Sequence, residues 1–486
     1  MGDFGHFAGR VRILGAHRFG LALPILIGAA LRLARLGAQD LWYDEAATAW
    51  MAGLPWGSLM RAIAGDVHPP LWYAIEKASA CFLGNTEFAL RLPAALCSIA
   101  ALALLPGLAG ALGLDRRVGV VATWIMALSP FQIWYAQEGR MYALLLLAVE
   151  VGALAMLTKR PWLFFLAGAV LMYTHNIGAI YVLILAAIKL PDLVREWRKK
   201  PADLLAYGSI LAVYAPWAGI AAGQAGTVAQ AFWVQRPTVG AIPLTLHDLF
   251  WGSVPPAWLG VFVVLLSGLA LIAAVWAGVR GRRWALLALA FAPLLATWAI
   301  SQFKPILISR LMIGCTPFLC MLLGGAMIDH RRTRWPALAA APVLLFVLGS
   351  YYVDPDVQKG DVHRFVEVVR EQDRPGDAVL HTCIPSYIIL SYYAPELEHY
   401  LWRQAGDLSQ SLTEQTKRAM RMRETTIEEL LASHQRVWVY YSDSPVTSQA
   451  ELAENRRIRS VYQVGWDQLW TVEETALISS GVYLVE

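Results

Sequence analysis

Apolar runs long enough to cross a bilayer recur throughout the first 350 residues, more than one soluble core can bury. Basic residues gather in alternate connections between these runs: Arg116-Arg117, Lys159-Arg160, Arg195 to Lys200, Arg280 to Arg283 and Arg331 to Arg334. The intervening connections carry few basic residues, each of them single. This alternation predicts a polytopic helical membrane protein whose N-terminus (Arg10, Arg12, Arg18) and basic loops are cytoplasmic. Spans are expected near 19–37, 88–113, 117–136, 141–158, 161–175, 177–190, 203–221, 257–279, 284–301, 310–328 and 335–351. That is eleven, an odd number that leaves the C-terminal part on the outer side. No small-residue cleavage site follows the first run, so it is expected to be a retained helix.

Composition agrees: 57% of residues are hydrophobic and 16% charged, outside soluble globular usage. The net charge of +4 sits in specific loops, and no basic stripe suggests nucleic acid. The five cysteines form no CxxC or CxxH pattern, so neither a disulfide framework nor a thiolate metal site is expected. After Tyr351 the composition becomes that of a soluble domain. RFVEVVREQ, 385–393 and 426–434 read as helices, while the end of RPGDAVLHT, RVWVYYS, SVYQVGW and SGVYLVE read as strands. The division expected is a membrane core over 1–350 and an outer α/β domain over 351–486.

On the outer side four short stretches concentrate chemistry. The first is Asp44-Glu45, between Trp42-Tyr43 and Trp50 in an amphipathic segment that runs close to the membrane surface. The second is Asp66-Val67-His68-Pro69-Pro70, where the prolines fix the direction of the returning chain. The third runs from Tyr135 through Glu138 and Arg140 to Tyr142, and the fourth from Lys304 to Arg310. Alone, Asp44 reads equally well as the N-cap of a helix starting at Ala46. Arg140 and Arg310 could likewise pair internally with Glu138 and Asp44. Together, acids and cations on a face poor in positive charge describe another task. A carboxylate accepts a proton, and Arg140, Lys304 and Arg310 hold a phosphate. Tyr43, Tyr135 and Tyr142, with His68, complete the expected substrate contacts. His175 and His247 read as hydrogen-bonding core or loop residues.

LWYDEAATAWMA, DVHPPLWY, ALSPFQIWYAQEGRMYALL and KPILISRLMIGCTPFLCMLLGGAM, in this order over 20–330, resemble the bacterial GT-C glycosyltransferases. The branch is that of the protein O-mannosyltransferases and the lipid A aminoarabinose transferase. The resemblance implies a polyprenyl-phosphate-linked sugar as donor and a lipid, glycan or protein acceptor. It also implies inverting transfer on the outer face of the bacterial inner membrane. It maps the family's acids onto Asp44, with Glu45 beside it, and Glu138, and its arginine onto Arg310. His68 departs from the lysine of the aminoarabinose branch, which leaves that donor open. A divalent cation is conceivable, but arginine and lysine can neutralise a leaving phosphate without one, and metal-independent catalysis is expected. A transporter or flippase, the rival class, would place ionisable residues at the bilayer midplane in broken helices, and a sensor would need no such face. Here the mid-span exceptions are Arg32 and Glu150.

Overall fold

The computed structural model describes residues 20–474 except 197, 199–200, 232–233, 253–254, 256, 330–333, 355–356, 358, 360–361, 404–413, 435, 443–455 and 465–466. An apolar helix, α1 (Gly20–Leu33), is followed by three short helices, α2 (Tyr43–Gly53), α3 (Trp56–Gly65) and α4 (Leu71–Leu83). The long α5 (Glu87–Ala111) comes next, capped by Thr86, whose hydroxyl accepts from the Ala89 N–H. Then come α6 (Arg116–Leu128) and α7 (Pro130–Ala136), bent by 64° at Ser129. Pro130 lacks an N–H and its ring bars helical geometry at Ser129, so the chain breaks there and Ser129 caps α7 instead.

The series continues with α8 (Tyr142–Leu157), α9 (Pro161–Thr174), α10 (Gly178–Glu196) and α11 (Pro201–Ala231). After it come α12 (Ala241–Trp251), α13 (Gly260–Arg280), α14 (Trp284–Ser301), a 3-10 turn (Ser309–Cys315), α15 (Thr316–Asp329) and α16 (Arg334–Val353). Among the described residues five stretches are long and apolar enough to cross a membrane: α5, Pro201–Gly226, α13, α14 and Ser309–Asp329. The bent α6–α7 pair makes a sixth, and α1, α8, α9, Gly178–Pro191 and Leu338–Val353 are shorter apolar helices. One expected loop, 222–256, is largely helical. α11 runs further than expected, and α12 buries Leu246, Leu249 and Trp251 against its neighbours.

Burial separates the centre of this bundle from its rim. The most apolar window of Ser309–Asp329 is 89% buried, against 17% for α11. α8 and α15 are apolar on every side because protein surrounds them. Leu265, Leu269 and Ile272 of α13 stand exposed, as residues facing lipid rather than water do.

The C-terminal part forms a six-stranded sheet with strands β1 (Ala378–His381), β2 (His399–Trp402), β3 (Glu424–Thr425), β4 (Arg436–Ser442), β5 (Arg456–Val464) and β6 (Asp467–Glu474). Their order is β3-β2-β1-β4-β6-β5. β1, β2, β3 and β4 are parallel, linked through α18 (Ile384–Tyr393), α19 (Glu414–Ala419) and α20 (Ile427–Leu431), and α17 (Val362–Gln372) precedes them. β5 and β6 add an antiparallel edge. β2, β3 and β6 went unread in the sequence, being short or polar, and the expected strand SGVYLVE lies outside the described residues. The sheet layer does not float. Tyr387 of α18 stacks on Trp50 of α2 at 5.9 Å, and Gln415 of α19 donates to the Arg61 carbonyl at 2.9 Å. One apolar cluster, with Leu41, Ala46, Leu59, Tyr73, Ile384 and Leu401, is shared by both layers.

Candidate active site

α2 begins at Tyr43, not Ala46, and this decides what its two acids do. Glu45, in the first turn, reaches back to accept from the N–H of the N-cap residue Trp42 at 3.4 Å. The cap is therefore Glu45, and the Asp44 carboxylate is not spent on it. Asp44 instead accepts from Arg310 at 3.2 Å, across 266 positions of sequence, and about a fifth of each side chain is open. The Arg310 guanidinium lies 5.9 Å from the Trp42 ring and 5.4 Å from the Tyr142 ring. Arg140, almost wholly buried, donates to the Thr48 hydroxyl at 2.5 Å and the Asp44 carbonyl at 3.3 Å. Tyr135 packs edge-on to Tyr142 at 5.2 Å. Around this group Arg310 Nε, Arg140 Nε, Trp42 Nε1 and Glu138 Oε1 are buried without a hydrogen-bond partner among the described residues. Such groups cost about 1–3 kcal/mol each, more when charged, so they mark a place built for something else to bind.

Glu45 is the opposite case. Its carboxylate takes two 2.8 Å bonds from Arg91 of α5, one of 2.7 Å from the Gly139 N–H and one of 2.9 Å from Lys359. Burial would raise its pKa, but Lys359 and Arg91 outweigh it and draw the carboxyl down to about 2. Arg91 also donates to the carbonyls of Leu36, Gln39 and Asp40, tying down the segment that leads into α2. Glu138, fully buried, accepts from Trp134 at 3.0 Å. Burial pushes its carboxyl up to about 7, against the pull of Lys359.

The Asp66 loop forms a neighbouring network. Asp66 accepts from Tyr73 at 2.8 Å and pairs with His68 at 3.3 Å. Burial would raise the Asp66 carboxyl, yet these hydrogen bonds hold it below its usual value. His68 meets the His175 ring edge-on at 5.1 Å, and His175 accepts from the Ile177 N–H. Asn176 and Gln224 hold the loop's carbonyls at Val67 and Ile63.

The structure thus gathers Arg140, Tyr142 and Tyr135 about the Asp44–Arg310 pair, with Glu138 buried and His68 in the adjoining network. Tyr43 packs at the rim of the apolar cluster shared with α18. Lys304 is set apart: its ammonium goes to the Ala225 carbonyl of α11. His247 bonds Ser267, as a structural residue does. Sequence reasoning missed Arg91 and Lys359. A lone arginine inside an apolar helix was the available signal for the first, and nothing local marked the second. A divalent cation fits Asp44 poorly, because it would share the carboxylate with a guanidinium. Among the described residues the donors close enough to hold a metal are Asp40, Glu87 and His363, elsewhere on this face.

Residues 67–220, which carry His68, Glu138 and Arg140, match the family of the dolichyl-phosphate-mannose-protein mannosyltransferases. The fold is that of ArnT from Cupriavidus metallidurans. Its apo crystal structure aligns with a TM-score of 0.61 at 14% identity, over 94% of this chain and 98% of that one. The same protein bound to undecaprenyl phosphate aligns with a TM-score of 0.54 at 15% identity, with the same coverage. At such identities the likeness establishes fold, and the resemblance to GT-C glycosyltransferases drawn from the motifs is borne out at that level. No curated protein matches the sequence.

Proposed function

We propose that the chain transfers a sugar from a polyprenyl-phosphate donor to a hydroxyl or amine acceptor, with inversion, on the outer face of the bacterial inner membrane. The observation that carries this is the Asp44–Arg310 pair beneath unpartnered arginine and tryptophan donors. As the acceptor's oxygen or nitrogen bonds to the anomeric carbon, Asp44 takes its proton. The carbon–oxygen bond on the opposite side breaks, and its electron pair leaves on the polyprenyl phosphate. Arg310 and Arg140 stabilise that charge, and no general acid is needed because the phosphate leaves as an anion. Asp44 is preferred to Glu138 because part of its side chain is open, whereas Glu138 has no access to solvent. ArnT, which shares the fold, has been crystallised with undecaprenyl phosphate, and that supports the donor class.

A transporter would need charges along the bundle axis. Arg32, one of the two mid-span candidates, is held by Ser98 and by the carbonyls of Gly28, Met126 and Ala127, a structural use. The proposed topology has all eleven apolar segments crossing, with a core over 1–350 and the 351–486 part outside. Reporter fusions after Lys200 and after Tyr351 should then give opposite sides, and agreement between them rejects it. For the activity, the purified protein in lipid nanodiscs is supplied with undecaprenyl-phosphate mannose and, separately, undecaprenyl-phosphate aminoarabinose, with membrane extract as acceptor. Release of undecaprenyl phosphate coupled to labelling of the extract is expected. Failure with both donors, with undecaprenyl phosphate itself not binding, ends the reading.

A further inference from the structure

Lys359 lies between α16 and α17, where the chain leaves the bundle for the sheet. The surrounding sequence is polar, yet its side chain is only 6% exposed. The ammonium donates to Glu45 at 2.9 Å and to the Gln137 carbonyl at 3.2 Å, and the Lys359 N–H reaches Gln39 at 3.4 Å. Burying an ammonium is costly until its partners compensate, and here they are two specific groups on different loops. Docking of the sheet layer does not require it either, since α18 on α2 and α19 on α3 already supply apolar contact.

We propose that Lys359 is a positioning residue, through which the C-terminal segment holds the first turn of α2 and the Gly139–Arg140 turn in register. The inference rests on Asp44 being the base. Glu45 is where the two turns meet. It caps α2 one residue after Asp44, and it accepts from the Gly139 N–H one residue before Arg140. Lys359 clamps that carboxylate and the carbonyl of Gln137 together, joining both loops from the far side. The charged groups facing the ammonium are Glu45 from α2, Arg91 from α5 and Glu138 from the α7–α8 turn. With both acids ionised the four charges balance. Without Lys359, Glu138 keeps only Arg310 as a cation opposing its burial among the described residues.

The test uses the full chain in nanodiscs, with Lys359→Met, Lys359→Arg, Glu45→Gln and Lys359→Met combined with Glu45→Gln. Amide hydrogen exchange should quicken in Lys359→Met at residues 43–46 and 139–141 while the rest of the bundle is unchanged. Turnover should fall by about 10²-fold, the scale of an ångström-sized misplacement. Undecaprenyl phosphate affinity should stay within about twofold, so the loss falls on turnover and not on donor binding. Lys359→Arg should restore local protection, and the double variant should lose no more than the worse single one, as coupled residues do. Unchanged exchange at both turns, or faster exchange spread evenly over the bundle, overturns the proposal. If wild-type protein turns over neither donor and does not bind undecaprenyl phosphate, the enzymatic reading fails while the exchange experiment still decides whether Lys359 braces the two turns.

Discussion

Two faces of one helical turn carry the contrast on which this molecule is built. On the Asp44 face the carboxylate is partly open and, among the described residues, has a single side-chain hydrogen-bond partner and lies near buried donors that have none. On the Glu45 face the carboxylate is shut away from solvent and held by Arg91, Lys359 and two backbone N–H groups. Adjacent acids, alike in the sequence, have been given opposite work. A saturated buried charge holds structure together, whereas an unsaturated, partly open cluster has the capacity to take a ligand.

The contrast breaks first, and hardest, at Asp44. Asp44→Asn should leave fold and undecaprenyl phosphate binding intact and cut turnover by about 10²–10⁴, the usual loss of a general base. If Asp44→Asn turns over within a few-fold of wild type while Glu138→Gln is dead, the base belongs to the second loop. On the other face Arg91→Met should strand Glu45 and cost about 3–5 kcal/mol of stability, read as a loss of folded protein on heating in detergent. An Arg91→Met protein as stable as wild type would show that Lys359 and the backbone suffice.

Arg310→Ala should cost about 2–5 kcal/mol in binding undecaprenyl phosphate, measured by titration in nanodiscs, because the phosphate loses a desolvated charged partner. Equal affinity in the variant removes Arg310 from the phosphate site. Glu138 gives a pH signature of its own. Its folded pKa of about 7 lies above the usual carboxyl value of 4.5, so the folded state binds more protons and stability falls as pH rises between the two. Glu138→Gln should flatten that decline and gain up to about 3 kcal/mol at pH 8, by thermal unfolding across pH. Glu45 acts with the opposite sign. Its stabilisation is complete above 4.5 and fades as pH drops towards 2. The smallest effect belongs to the exposed pair Arg403–Glu429, whose loss should leave both thermal stability and turnover close to those of the wild type.

Much of the architecture was legible because bilayer burial leaves a coarse, local signal. The apolar runs fell where the helices lie, and the break before Pro130 was the main irregularity, hidden inside what read as one continuous span. In the sheet layer β1 and β4 announced themselves by buried apolar runs, while β2 and β3 are only four and two residues long and need their neighbours to exist. Among the site residues, Asp44, Arg140, Tyr142 and Arg310 do come together. Lys304 does not, because its helix end turns it to the Ala225 carbonyl.

The sequence by itself determined a membrane bundle with acids, arginines and aromatics concentrated in a few connections, since hydropathy and charge are properties of short segments. Which acid is open and which is braced was decided only by the tertiary structure. One step along a helix turns a side chain by about 100°, enough to send neighbours into different surroundings. Those surroundings are supplied by Arg310 and Lys359, hundreds of positions away, and no local pattern encodes a partner brought in by folding.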